Sequence, residues 1–280
     1  MLRLLRSLLV AVFAFSTPLL AQSYGQVKGM DERLRMDFGG FFMNFDTTVR
    51  LDPSGGGSGT EISFEDDLGM DDEKATFRLD GYWRFGRHGR VDFGYLTMRR
   101  RNENTLSRQI VWGDQVYDVG ASVDTSSKVD VVEAYYSYSF VNTGEAEIGL
   151  GIGVSSFFNR WSVEAAGSVS GGGGTGAGAV AEESTDLVAP IPAVGAHLRY
   201  TLLPGFFAHG RVRWMKASIS DYQGKMLSAR AGLDVYFGEH FGIGAVWDFT
   251  DITFEEEREK GTVEFEYRFS GPVAYLTIAF

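Results

Sequence analysis

The sequence predicts an all-β fold, an antiparallel barrel closing on itself within a membrane, of about ten strands with eight or twelve as the alternatives. Three observations predict it. Apolar and polar residues alternate with period two through nearly every segment, and no helical period is seen. The apolar faces are rich in aromatics and run for about nine to eleven residues, the length a tilted membrane strand needs. Beyond the N-terminal leader no run approaches the ~18 consecutive apolar residues of a spanning helix. A spanning chain must then be a closed barrel, in which every backbone group finds a partner.

The elements follow in order. Arg3 and Arg6 precede the apolar stretch Leu8 to Phe15, then Pro18 and a small-residue site at Ala21, so residues 1–22 read as a cleaved signal peptide. Residues 23–32 read as a tail and 33–280 as the barrel. Strands are expected at 33–50, 73–86, 90–102, 128–141, 145–162, 186–202, 206–219, 224–237, 241–254 and 262–280. In the second, Leu79, Gly81, Trp83 and Phe85 alternate with Asp80, Tyr82 and Arg84. In the fourth, Ala134, Tyr136, Tyr138 and Phe140 oppose Glu133, Tyr135, Ser137 and Ser139, and in the eighth Leu227 to Phe237 oppose Ser228, Arg230 and Asp234. In the last strand apolar parity changes at Gly271-Pro272, which predicts a bulge there, since proline cannot donate to a ladder. Tight turns alternate with longer loops at 51–72, 103–127, 163–185 and 255–261, the third glycine-rich and expected to be flexible.

The chain closes on Ala274, Leu276, Ile278 and Phe280, one apolar face with a terminal phenylalanine. With the leader, this resembles the small outer-membrane β-barrel proteins of Gram-negative bacteria, over essentially the whole mature length. The resemblance implies outer-membrane localisation, contact with outer-membrane lipid and lipopolysaccharide, and insertion by the barrel-assembly machinery with Phe280 as the signal. It also implies periplasmic short turns and extracellular long loops, which makes 23–32 a periplasmic tail. Phe85, Phe140, Phe206, Phe237, Phe241 and Phe280 fall beside the short-turn end, as a girdle would.

A barrel of about eight strands is just filled by side chains, so ten leave little open space. The inward parity is heavily charged, with Arg84, Asp92, Arg199, Arg211, Arg230, Asp234 and Asp248 as the core of an expected salt-bridged network, together with Arg78, Asp80, Glu133, Glu147 and Arg213. Desolvated charges must be paired. Register across the turns predicts Arg84 with Asp92 around His88, and Arg230 with Asp248 around Glu239. His197, Arg199, His209, Arg211 and Arg213 form an inward basic cluster that would favour anions if water reached it. Gly149, Gly151 and Gly153 leave room for neighbours such as Tyr135.

Without Arg3 and Arg6, the 26 basic residues become 24 against 37 acids, a formal charge of −13 that argues against a nucleic-acid partner. The absence of cysteine excludes disulfides and thiolate metal sites. No catalytic motif stands out, since neither Gly-x-Ser-x-Gly nor His-Glu-x-x-His occurs. The acidic loops at Glu65 to Glu73 and Glu255 to Glu257 read as solvated rather than as metal sites, and no cofactor is expected. Arg50, Arg99, Arg101, Arg160 and Lys216 have outward parity at the extracellular strand ends, where lipopolysaccharide phosphates would lie. The expected function is therefore a non-enzymatic integral barrel, structural or a narrow solute channel. A lipid-modifying or proteolytic barrel enzyme and an adhesin or receptor are the alternatives.

Overall fold

A computed structural model describes residues 32–53, 57–112, 115–171, 176–219, 222–258 and 261–280. The expected signal peptide and residues 23–31 of the tail lie outside these. The strands are β1 (Leu34–Leu51), β2 (Glu61–Ser63), β3 (Glu73–Phe85), β4 (Gly89–Thr105), β5 (Ile110–Trp112), β6 (Gln115–Tyr117), β7 (Ser122–Asn142), β8 (Ala146–Gly171), β9 (Gly176–Leu203), β10 (Phe206–Ile219), β11 (Tyr222–Phe237), β12 (Phe241–Arg258) and β13 (Gly261–Ala279). Ten of them form a closed antiparallel barrel. Closure is made by β1 on β13, in register from Arg35 opposite Ala279 to Leu51 opposite Val263. The short β2 pairs with β1, and β6 with β8.

Each expected barrel strand is present. Gly86, Gly205 and Gly238 take φ of 69°, 76° and 82° in the tight turns, a left-handed conformation that a side chain would disfavour. Above the turns the alternation becomes a lipid face, on which Trp83, Tyr136, Tyr138, Phe140, Leu150, Ile152, Phe237 and Phe241 are exposed. At the short-turn end Phe85 and Phe280 are exposed as the girdle reading expects, whereas Phe206 is half-buried.

The interior has zones of opposite character. Next to the short turns it is charged. Towards the long loops it is a packed apolar core of Phe41, Met43, Phe45, Met98, Val129, Phe157, Ile191, Met226, Phe265, Tyr267 and Phe269. This core removes the expected bulge at Gly271-Pro272. The β12–β13 register runs unbroken through Trp247 opposite Pro272 and Asp248 opposite Gly271. Odd residues face inward throughout β13: Phe265, Tyr267 and Phe269 are buried in the apolar zone, and Val273, Tyr275 and Thr277 continue the same face into the polar one. Apolar parity changes because the surroundings change, from apolar inside to lipid outside.

The 163–185 segment also differs from its expected loop. Strands β8 and β9 pair out to Val169 opposite Gly176, so that only residues 172–175 lie between them and outside the described set. Glycine, alanine and serine bring no bulk that would prevent ladder extension. The loop near Asp221 lies outside the described residues.

Away from the short turns the wall parts along two lines. The β3–β4 ladder stops at Arg78 opposite Leu96, and the β9–β10 ladder at Val194 opposite Trp214. Between these lines β4, β7, β8 and β9 form one panel and the remaining long strands another. The apolar core packs between the panels much as in a β-sandwich.

Candidate functional site

The charged zone holds eight arginines, Arg35, Arg78, Arg84, Arg90, Arg199, Arg211, Arg213 and Arg230, against eight carboxylates, Glu32, Asp37, Asp80, Asp92, Glu133, Glu147, Asp234 and Asp248. It is thus formally neutral. Nearest the short turns, Arg84 reaches Glu147 at 2.8 Å, Arg90 reaches it at 3.3 Å, and the Ser139 hydroxyl donates to it at 2.6 Å. Glu32 accepts hydrogen bonds from Arg199 and, at 2.7 Å, from Tyr82. The expected periplasmic tail therefore ends in a side chain buried inside the barrel. Asp234 is held by Arg35 at 2.6 Å and by the Tyr275 hydroxyl at 2.6 Å. Higher up, Arg230 spans Asp80 at 2.8 Å and Asp248, to which Nε donates at 2.7 Å. Glu133 gathers Arg78, Arg211 and Arg213, and the Arg213 guanidinium lies 3.8 Å over the Tyr135 ring.

Both expected pairings can be judged from register. Arg230 stands directly opposite Asp248, and they pair as expected. Arg84 and Asp92 do not pair. Arg84 faces Arg90 and Tyr82 faces Asp92, because the turn is centred on Arg87 rather than His88. The slip keeps every side chain on its face while exchanging neighbours, so Arg84 goes to Glu147 and Asp92 to Arg90 at 3.0 Å. The inward basic cluster also exists on β9 and β10, with Arg211 opposite His197 and His209 opposite Arg199. It is answered from other walls by Glu32, Asp80, Glu133, Glu147 and Asp234. The room left by glycine is real, since a Cβ at Gly153 would come within 2.6 Å of the Tyr135 ring.

Within the network lies a cavity of about 70 Å³ bounded by Tyr82, Arg90, Asp92, His197, Arg199 and Arg211 among others. That is room for a few water molecules. Above it lies the apolar core, and the 61–72 segment caps that core with Ile62, Phe64, Leu68 and Met70, all buried. Arg100 pairs with Glu65, Arg108 with Asp67 at 2.5 Å, and Asn102 and Asn104 donate to the carbonyls of Leu68 and Asp67. The Arg108 guanidinium hydrogen-bonded to Asp67 holds that carboxyl below the usual carboxylate range. Much of the acidic first loop is thereby engaged in the cap.

The rim residues scatter in role. Arg50 pairs with Glu264 at 2.9 Å and Arg101 with Asp124 at 3.2 Å, while Arg99, Arg160 and Lys216 are exposed. Register brings Arg99 opposite Lys128 and Lys128 opposite Arg160, a basic row across β4, β7 and β8. Lys128, which also pairs with Asp130 at 2.8 Å, becomes visible only once the ladders are fixed. At the other end the Phe280 carbonyl accepts from the Leu34 N–H at 3.0 Å, and its ring stacks on His240 at 5.1 Å.

No protein-family model matches the sequence, nor does any curated protein. Among solved structures, the chain is similar to the outer membrane protease OmpT from Escherichia coli, at 12% identity and a TM-score of 0.58 over 92% of this chain and 100% of that one. The chain has the fold of an outer-membrane β-barrel. The translocator domain of the autotransporter NalP from Neisseria meningitidis aligns at 14% identity and a TM-score of 0.40, covering 96% and 97% of the two chains. OprG from Pseudomonas aeruginosa aligns at 10% and 0.36, covering 92% and 98%. A closed barrel of this fold, with an apolar belt that water could not solvate cheaply, is an integral protein of the bacterial outer membrane.

Proposed function

We propose that this chain is a closed, non-conducting and non-enzymatic outer-membrane barrel, a structural element of the envelope rather than a solute channel. The observation that carries this reading is that the lumen is obstructed twice, by a charge-balanced network and by a capped apolar core. An ion would have to break buried pairs and then cross an apolar plug, and both steps are costly. Liposomes containing the refolded protein are expected to swell in arabinose or glycine no faster than protein-free liposomes. Swelling at porin-like rates would remove the reading.

The histidines support the non-enzymatic part. From the short turns His88 and His240 contact the backbone carbonyls of Ser139 and Ala279 at 2.7 and 2.8 Å, and His197 and His209 lie in the network. Ser139 approaches His197 Nε2 at 3.3 Å, but Ser139 is fully buried and Glu147 is engaged by Arg84 and Arg90. Burial of that hydroxyl weighs against a substrate reaching it. A second reading, surface receptor or adhesin, draws on the 26 and 28 residues of β8 and β9, which far exceed the ~9–11 a membrane strand needs.

The basic row supports contact with lipopolysaccharide phosphates, which guanidinium groups can bind in bidentate fashion. Replacing Arg99, Lys128 and Arg160 together with alanine is expected to reduce lipopolysaccharide co-purifying with the barrel by at least about tenfold, as ~1.4 kcal/mol of lost contact would. Equal retention would count against the contact. The exposure of Phe280 on the closing strand supports a part for it in insertion by the barrel-assembly machinery.

A further inference from the structure

The two lines along which the wall parts are not alike. Above Arg78 and Leu96 the β3–β4 line is bridged. The Thr76 hydroxyl donates to the Thr97 carbonyl at 2.5 Å, and the 64–72 segment links the flanking strands through Phe45 N–H to Asp72 O at 2.8 Å and Asn102 to Leu68 O at 3.0 Å. Above Val194 and Trp214 no described backbone pairing joins β9 to β10, although β10 runs on to Ile219 with β11 and β9 runs on to Gly176 with β8.

The sequence gives the cause. Continuing the register would set Pro192 opposite Lys216 and Pro190 opposite Ser218. Thr201 donates its N–H to Glu145 on the β8 side, so by strand alternation the even residues of β9 direct their backbone groups toward β10. The prolines therefore remove the very donors that β10 would need. Open edges are not tolerated in hydrocarbon, which places this seam at headgroup depth, just above the exposed Trp214 and Val194. Behind it the wall is apolar: Ile191 and Ala193 are buried against the core that contains Phe157 and Met226, and Met215 packs on it. Outside it, Lys216 stands opposite Lys225, both exposed.

We propose that the β9–β10 seam is a lateral binding site for a phosphate-bearing lipid of the outer leaflet, whose acyl chain enters the apolar core between Ala193 and Met215. Lys216 and Lys225 take the phosphate, and the chain displaces side-chain packing at Met215 and Met226 rather than any backbone hydrogen bond. The cap and the charge network leave the membrane side as the approach to this core. The site is independent of whether the barrel conducts.

The test uses the folded barrel in phosphatidylglycerol nanodiscs doped with phosphatidylglycerol carrying a diazirine at the acyl terminus, with cross-links mapped by mass spectrometry. Labelling is expected at the inward Phe157 and Met226 as well as at the outward Trp214. Joining Ala193→Cys and Met215→Cys with a short bis-maleimide, the chain having no cysteine of its own, is expected to abolish the inward labels and keep the outward one. Pro190→Val with Pro192→Val, which restores both donors, is expected to lower inward labelling at least about fivefold, as is Lys216→Glu with Lys225→Glu. Labels confined to outward residues in the unmodified barrel, or inward labels that persist after the seam is joined, would overturn the proposal.

Discussion

Replacing Asp248 with arginine is expected to destabilise the barrel by about 3–5 kcal/mol or more, the range for breaking a buried ion pair. Asp248 is almost fully buried, and both Arg230 and, at 3.4 Å, Arg78 lean on it. The substitution would leave three guanidinium groups facing one another. Denaturant unfolding of the refolded protein measures the loss. The exchange variant, Asp248→Arg with Arg230→Asp, is expected to recover part of it but not all, because Arg230 also serves Asp80 at 2.8 Å. Unfolding midpoints equal to those of the parent would dissolve the pairing at the centre of the network.

Phe64→Ala is expected to cost about 3–5 kcal/mol in closing the cap, the usual range for truncating a buried phenylalanine. The Phe64 side chain is 3% exposed, and its carbonyl accepts from the Met70 N–H at 2.9 Å within the same segment. Hydrogen exchange at the Phe64 and Met70 amides reports the loss, while amides of the β12–β13 ladder are expected to keep their protection. A uniform loss of protection would mean that the cap and the barrel unfold as one unit.

Much of this architecture is legible in the sequence, for a physical reason. A side-chain period of two assigns each residue to a face whatever its neighbours turn out to be, so the outward aromatics and the inward charges Arg199, Arg211, Arg230, Asp234 and Asp248 are placed by counting. Neighbours need register, and register needs the turn centre. At Glu239 the centre is clear and Arg230 finds Asp248, whereas a centre on Arg87 rather than His88 sends Arg84 to Glu147. The apolar core is harder to see. Its signal, the parity change between Phe269 and Ala274, also fits a bulge, and only the unbroken β12–β13 ladder separates the two. Arg35, Asp37 and Arg90 share the inward parity but lie near strand ends, where burial is least predictable from pattern. The capping segment carries only a short period of two, Ile62, Phe64, Leu68 and Met70, broken by Asp66. Its four apolar residues are scattered among acids, and their burial follows from tertiary packing alone.

Single-channel recording of the refolded chain in a planar bilayer, beside the Arg230→Ala variant, tests the closed interior most directly. No conductance steps are expected from a demonstrably folded parent, because an ion would have to lose its hydration at the network and again at the apolar core. The variant is also expected to stay silent, since the capped core above the network remains intact. Stable, ion-selective steps from the parent, altered by Arg230→Ala, would instead establish a pore through the charged zone.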